Sequence, residues 1–324
     1  MLLLTGGTGH VGGQIIERVV REKIDTVAIY RGTKPSQAAG ADQSGVNWVQ
    51  CDLNDAAALM ELGKSHGITS CIHAAAVSNE AYAQPDPAAA IATNIWSTAT
   101  LLETARIQNW DRFILVSTGS VFEKRAWKGA PISEDATPEP GNVYSTTKAA
   151  AEMLCRLYRT EYELSASVVR LSWVFGPPVT SQDPTRGPIP SFIIRALRGE
   201  SIREGGVDFA ASFTFVEDVA NGLLAAVSAP ELPSPVYHLG HGINFSLSDV
   251  ADAICKTIPE AVIDLTPGTE PWTQFTAMRD PLAVQNMRED VGFEPAYPLE
   301  KGIAAYIQWF RDNPDMWAED RPIP

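Results

Sequence analysis

Apolar residues at Met1 to Leu4 run into a glycine cluster, and an amphipathic stretch follows from Val11 to Lys23. The same rhythm continues through the first half of the chain. Short runs at Thr26 to Tyr30, Val46 to Gln50, Ile68 to Ala74, Arg112 to Ser117 and Ser165 to Leu171 read as strands. Helical patterns lie between them at Ala56 to Ser65, Ala88 to Gln108 and Val143 to Tyr162. Strands this apolar are buried on both faces, and their alternation with helices predicts a parallel sheet covered on both sides. After Gly176-Pro177-Pro178 the pattern changes. Proline and glycine crowd residues 177–190, and helical periodicity returns at Ser191 to Arg198, Glu217 to Ala226, Ser246 to Thr257 and Leu299 to Phe310. The expected architecture is α/β: a doubly wound parallel sheet over residues 1–170, later elements near 207–240 packing back onto it, and a smaller C-terminal lobe over 171–324 covering its ligand edge. The tail from Asp320 to Pro324 is expected to be a surface extension.

Composition narrows the class. The 324 residues are 45% apolar and 20% charged, as in ordinary globular proteins. Twenty-five Lys plus Arg against thirty-nine Asp plus Glu leave a formal charge of −14, which disfavours nucleic acid and anionic membrane as partners. Cys51, Cys71, Cys155 and Cys255 are far apart and form no CxxC, so they read as small buried hydrophobes in a reducing compartment. The apolar start is short and lacks a basic flank, and no run approaches the roughly 20 apolar residues of a membrane span. A cytoplasmic location is expected. No His, Asp and Glu cluster has metal-ligand spacing, so no metal is expected.

The strongest local signal is Thr5-Gly6-Gly7-Thr8-Gly9-His10-Val11-Gly12-Gly13, directly after a strand and opening a helix. There, glycines permit a tight turn, close backbone approach to a pyrophosphate, and contact between helix and sheet. The loop makes the first domain Rossmann-type. Gly6, Gly9, His10, Val11 and Gly12 are the candidate cofactor contacts, with His10, like His238, read as structural rather than catalytic. An NAD site usually has an acidic residue ending the second strand. Here that strand ends Tyr30-Arg31-Gly32-Thr33-Lys34, and Arg31 and Lys34 suit a 2′-phosphate, so the cofactor is NAD(P) with a lean to NADP. Arg31 stacked on adenine or facing solvent is the alternative. Asp52-Leu53 follows the third strand, where Asp52 either reaches the adenine amino group or caps the next helix.

Tyr144 and Lys148 are four residues apart at the start of a long helix and therefore share a face. A tyrosine is a poor base at neutral pH unless neighbouring positive charge favours the phenolate, and Lys148 is the candidate for that role.

Taken with the glycine loop, these residues make the sequence resemble the extended short-chain dehydrogenase/reductases, the NAD-dependent epimerase/dehydratase family. Further matches are Asp52-Leu53, the run Ala74-Ala75-Ala76, the Asn94-Ile95-Trp96-Ser97-Thr98 helix signature, and Val116 to Phe122. Others are Arg170 to Pro177, Phe213 to Ala220 and Tyr237 to Gly240. The resemblance implies that Thr118, Tyr144 and Lys148 are catalytic. Tyr144 would take a hydroxyl proton, Thr118 would hydrogen-bond the same oxygen, and Lys148 would bind the nicotinamide ribose. It adds Ala74, Ala75, Ala76 and Asn94 to the cofactor site, with Asn94 either a relay or a satisfied structural residue. It also implies a homodimer through the Ala88–Gln108 and Val143–Tyr162 helices.

Departures from the family pattern bear on substrate. Members that dehydrate carry an acidic pair after the catalytic Ser/Thr, where this chain has Gly119 and Ser120. Nucleotide-sugar members typically carry an asparagine and an arginine at the positions of Trp173 and Ala211, although Arg203 is a candidate replacement. A small substrate would then sit near Ser78, Thr118, Ser120, Trp173 and Arg186, with Arg186 binding a carboxylate and Trp173 stacking on a sugar face. The alternative is a solvated Arg186 and a core Trp173. The leading expectation is an NAD(P)-dependent oxidoreductase acting at a secondary alcohol of a small polyhydroxylated substrate, a sugar or sugar acid. A nucleotide-sugar epimerase with tightly bound NAD is the first alternative. A non-catalytic cofactor-sensing regulator is the second, and the Tyr144–Lys148 pair argues against it.

Overall fold

The computed structural model describes residues 1–32 and 45–317, so Lys34 and the tail from Asp320 lie outside the described residues. The central sheet contains β1 (Leu2–Thr5), β2 (Thr26–Tyr30), β3 (Val46–Gln50), β4 (Ser70–His73), β5 (Arg112–Thr118), β6 (Ala166–Leu171) and a last strand, Val236–Leu239. Their order across the sheet is Val236–Leu239, β6, β5, β4, β1, β2, β3, and every pairing is parallel. The winding reverses between β1 and β4, which opens a crevice at their carboxyl ends. Doubly wound sheets bind ligands at such a point.

Successive side chains along each strand serve opposite faces. Leu4, Ile72, Ile114 and Val169 pack against α1 (His10–Glu22) and the Val216–Ser228 helix. Leu3, Cys71, Phe113 and Val168 meet α2 (Ala56–His66) and the Ser97–Ile107 and Val143–Tyr162 helices. The late helix Val216–Ser228 and strand Val236–Leu239 thus belong to the sheet layers. The other late elements form a second core around Phe192, Phe209, Phe213, Phe215, Tyr306 and Phe310. Asp218 joins the two parts by accepting the N–H groups of Ala296 and Tyr297 at 2.8 and 3.0 Å.

Element boundaries follow the sequence pattern closely, with two instructive departures. The helix expected over Ala88–Gln108 is divided into Pro87–Ile91, a π-helical turn at Ala92–Trp96, and Ser97–Ile107. Ser97, Thr98 and Thr100 hydroxyls donate to carbonyls four residues back, and the buried Asn94 side chain turns outward to partners elsewhere. Such back-bonding bends a helix, and a π turn commonly marks a functional position. The helix expected from Ser191 starts earlier, at Pro188, because prolines are tolerated in a first turn that needs no internal N–H.

One buried polar network ties the layers. Arg170 of β6 donates to both carboxylate oxygens of Glu152 at 3.0 and 2.7 Å, and the Ser117 hydroxyl donates to Glu152 at 2.6 Å. The Arg170 and Glu152 side chains are 0% and 2% exposed. Arg170 also reaches His238 Nε2 at 3.2 Å, while His238 Nδ1 lies 2.8 Å from the Ala283 carbonyl oxygen. Removing one partner strands the other charge in the interior. Arg170→Met should therefore cost about 3–5 kcal/mol in urea unfolding. Arg170→Met combined with Glu152→Leu should recover most of that loss. A double variant no more stable than the single one would refute the pairing as the cause.

Three histidines are held neutral. Burial lowers His10 to about 4, His73 to about 3 and His238 to about 3, with Lys148 adding to the effect at His73 and Arg170 at His238. Below their ordinary pKa of about 6.5 the unfolded chain binds protons that the folded chain refuses, so stability falls as pH falls. Each histidine contributes up to about 1.4 kcal/mol per pH unit. Glu134 and Asp218, pushed upward by burial, act in the opposite direction. Thermal unfolding should show stability declining from pH 6.5 to 5, with His73→Gln flattening the slope. An unchanged slope in that variant would contradict a neutral His73.

Candidate active site

The crevice holds a cavity of about 660 Å³ that runs from the glycine loop to the second lobe. At its floor the Thr5 hydroxyl accepts the Ala75 N–H at 3.1 Å and draws the alanine run against the loop. Gly6 has φ +72°, and a Cβ there would stand 2.6 Å from Ala75 N. A Cβ on Gly12 would lie 2.0 Å from the Gly6 carbonyl oxygen. Neither position admits a larger residue. Gly9 begins α1 with no side-chain cap and no acidic residue in the first turn, which leaves free N–H groups and the positive end of the helix dipole at the cavity. This cradle fits the pyrophosphate of a dinucleotide. Gly6, Gly9, Val11 and Gly12 would hold it.

His10 lines the cavity but has a structural bond, its Nε2 3.0 Å from the Gly176 carbonyl oxygen. The neutral ring ties the glycine loop to the segment after β6. At the other end of the loop, exposed Arg31 stands with Asp52, Leu53 and Ala74–Ala76 along the cavity wall. Asp52 accepts the Asn54 N–H at 2.9 Å, whereas the cap of α2 is Asp55, which accepts the Ala58 N–H at 3.0 Å. The capping alternative for Asp52 is thereby corrected. Asn94 stands behind the wall. It accepts the Val77 N–H at 2.8 Å and donates to Val77 O and Thr147 Oγ1 at 3.1 and 2.9 Å.

Thr118, Tyr144 and Lys148 meet at the middle of the cavity. Asn142 and Ser145 form a capping box that starts the long helix one residue before Tyr144. Thr118 ends β5, where its hydroxyl accepts the Ser120 N–H at 3.1 Å, and it lines the cavity with Tyr144. Burial pushes Tyr144 up to about 12, while Thr118 and the charge of Arg279 act downward. Lys148, 3% exposed, donates to the Val116 carbonyl at 2.8 Å, and burial lowers it to about 8 against the opposing pull of Glu152. The sequence reading has Lys148 as the cation acting on the phenol. In the structure the Lys148 ammonium is bonded to the Val116 carbonyl of β5, and the charge of Arg279 also favours the phenolate.

Ser78, Ser120, Trp173 and Arg186 surround the outer half of the cavity. Trp173 is among the cavity-lining residues, and its indole packs edge-on against Phe209 and Phe213 at 5.3 and 5.9 Å between centroids, which makes it part of the second-lobe core. Its backbone has φ +40°, in the left-handed region that bulky residues avoid. Arg186 lies over the Tyr82 ring, 5.5 Å from its centroid, rather than in open solvent. Ala211 is buried in a short strand opposite Phe245, and Arg203 is an exposed partner of Asp264 at 3.6 Å, away from the cavity lining. Two residues of the site escaped the sequence reading. Glu80 is buried and accepts the Tyr144 N–H at 2.8 Å, and Arg279 lines the cavity beside Thr118 and Ser120. Neither belongs to a local motif; an Asn79 cap before Glu80 is the one hint in the chain.

Among the described residues no three His, Cys, Asp or Glu side chains gather as a metal site, and no helix is long and apolar enough to cross a membrane.

Comparison with known proteins agrees with this geometry. The chain is 26% identical over 349 residues to the dTDP-glucose 4,6-dehydratase of Escherichia coli, covering 98% of this chain and 95% of that protein. The UDP-glucose 4-epimerase of Thermotoga maritima shares the fold with a TM-score of 0.83 at 22% identity, covering 96% of this chain and 99% of that one. The dTDP-glucose 4,6-dehydratase of Bacillus anthracis, solved in complex with NAD, has a TM-score of 0.82 at 21% identity, covering 98% of each chain. The profile of the NAD dependent epimerase/dehydratase family matches residues 2–240, and with its glycine cradle, reversed sheet and Tyr144–Lys148 helix the chain belongs to that family of enzymes.

Proposed function

We propose that the protein is an NAD(P)-dependent oxidoreductase acting at a secondary alcohol of a small polyhydroxylated substrate, a sugar or sugar acid. The observation that carries this reading is Trp173. Trp173, with its backbone at φ +40°, lines the outer half of the cavity and packs its indole on Phe209 and Phe213, at a position where the family resemblance gives nucleotide-sugar members an asparagine. The ring fills space beside Gly187, whose Cβ would stand 3.0 Å from it. Ala211 offers no charge for a diphosphate, and Arg203 points elsewhere. Dehydration lacks support because Gly119 and Ser120 provide no acid or base after Thr118.

In this mechanism Tyr144 accepts the proton of the substrate hydroxyl and Thr118 hydrogen-bonds the same oxygen. Lys148 would hold the nicotinamide ribose, and the glycine loop the pyrophosphate. The nicotinamide, when bound, supplies the acceptor or donor of hydride at the carbinol carbon. Burial beneath the second lobe excludes water from that carbon and strengthens each of these hydrogen bonds. The second reading, a nucleotide-sugar epimerase, is favoured in its substrate class by the near full-length likeness to a nucleotide-sugar enzyme, the dTDP-glucose 4,6-dehydratase of Escherichia coli. A non-catalytic regulator has no use for Tyr144 beside Lys148.

The same reading includes a homodimer. Ile91, Trp96 and Ile107 are exposed on one helical segment, and Met153, Leu157 and Tyr162 on the long helix that it packs against. This apolar surface fits a second copy of the chain. Three of the four cysteines are buried and all are unpaired, which suits a reducing, cytoplasmic setting.

Spectrophotometry of the purified protein with a nicotinamide dinucleotide and a panel of sugars and sugar acids should show net cofactor reduction. Tyr144→Phe should lower kcat by at least about 100-fold with cofactor affinity nearly unchanged. Isomerised nucleotide sugar with no net absorbance change would replace the leading reading with the epimerase. For the cofactor, Arg31 supports a 2′-phosphate, and Arg31→Ala should weaken NADP about tenfold or more while sparing NAD. Equal losses for the two cofactors would remove the case for NADP.

A further inference from the structure

We propose that Arg279 anchors a carboxylate of the substrate, which makes the substrate class a sugar acid; this deepens, and rests on, the small-substrate oxidoreductase reading. Arg279 is only 8% exposed, yet it lines the catalytic cavity. All its side-chain hydrogen bonds run through Nη2, to Thr276 Oγ1 at 2.6 Å, Ala277 O at 3.2 Å, Glu123 Oε2 at 3.4 Å and Ser120 Oγ at 3.5 Å. Nε is buried with no partner, and among the described residues none bonds Nη1. A guanidinium this deep is costly unless its donors are met. Glu123 pairs with Nη2 at 3.4 Å and accepts the Ala277 N–H through its other oxygen at 2.5 Å. The arginine therefore retains unmet donors on the side toward Gly119.

Gly119 makes that side available. A Cβ there would lie 3.4 Å from Arg279 Nη1 and 3.3 Å from Leu282 Cδ1, so a side chain at 119 would compete with the guanidinium for space. Gly119 and Ser120 thus leave the exit of β5 without a charge of its own, and Arg279 stands over them. Nη1 is the nitrogen left to donate a charge-assisted hydrogen bond to a carboxylate, a bond about twice as strong as one to a neutral hydroxyl.

The arginine is also held in place before any ligand arrives. Asn244 donates to the Arg279 carbonyl at 2.8 Å, and Asp280 accepts the Lys128 and Gly129 N–H groups at 2.7 and 2.9 Å. Backbone bonds join Ile132 to Pro281 and Ala283 at 2.7 and 2.9 Å. A donor fixed this way loses little freedom on binding. Arg186, the cation that the sequence suggested for a carboxylate, instead stacks on Tyr82 across the cavity.

Calorimetry on the full chain loaded with reduced cofactor tests this directly, using D-glucuronate, D-galacturonate and D-gluconate against D-glucose, D-galactose and D-glucose 6-phosphate. The acids should bind at least about tenfold more tightly than the neutral sugars and the phosphate. Arg279→Gln should weaken the acids by about 100-fold and abolish that preference, and Arg279→Lys, which keeps the charge, should restore part of it. In turnover KM for the acid should rise as affinity falls, in addition to the lower kcat that follows from removing the charge beside Tyr144. Equal affinity for acids and neutral sugars, tighter binding of the phosphate, or an unchanged preference in a folded Arg279→Gln protein would overturn the inference. Net oxidation of neutral sugars without preference for acids would do so too, while leaving the oxidoreductase reading intact. Acid binding that depends on Arg279, with no net oxidation of any small substrate, would overturn the oxidoreductase reading alone.

Discussion

The buried ion pair between Arg170 and Glu152 is the constraint around which the catalytic half of the molecule is arranged. Arg170 comes from β6 and Glu152 from the Val143–Tyr162 helix, one turn beyond Lys148. Their bidentate contact fixes the rotation of that helix over the sheet, so Tyr144 and Lys148 face the cavity. Ser117, next to Thr118, donates into the same carboxylate, and Arg170 also reaches His238 on the last strand. A buried charge pair is weak evidence of net stability, since desolvation offsets much of its attraction. Its value here is geometric: few other rotations of the helix would satisfy both charges.

The electrostatics of the site follow from that arrangement. Burial works against ionised Tyr144 and against protonated Lys148, bringing the phenol to about 12 and the amine to about 8. Glu152 favours the charged lysine from below, and Arg279 favours the phenolate from the side of the second lobe. Tyr144 thus feels a charge that comes from the second half of the sequence.

The strained backbone of Trp173 has a similar meaning. Left-handed backbone costs a bulky residue about 1–3 kcal/mol, and persists only where its surroundings determine it strongly. Phe209, Phe213 and Gly187 supply that determination by receiving the indole on two sides. An aromatic wall across the outer cavity shortens the space available to a substrate, while the glycine cradle at the other end is unaltered. The glycine cradle and the aromatic cluster of Trp173 thus belong to different layers of the fold.

The sheet and its helices were legible because each buried strand must be apolar on both faces and each covering helix must repeat near 3.6 residues. The cradle and the Tyr144–Lys148 pair were legible because their chemistry is local: a turn that excludes Cβ atoms, and two side chains one helical turn apart. The π turn at Ala92–Trp96 was hidden, since it depends on Asn94 finding Val77 and Thr147 across the cavity wall. Arg279 and Glu80 were hidden for the same reason. Arg279 is 135 residues from Tyr144 in the chain (279 minus 144) and reaches it only because Asp280 and the Ile132 bridge pin its loop over β5. The sequence by itself determined the layers, the glycine turn and the helix that carries Tyr144 and Lys148, all of which follow from periodicity and backbone sterics within short spans. Only the tertiary structure decided which charges meet in the cavity, because that choice rests on contacts between segments far apart in the chain.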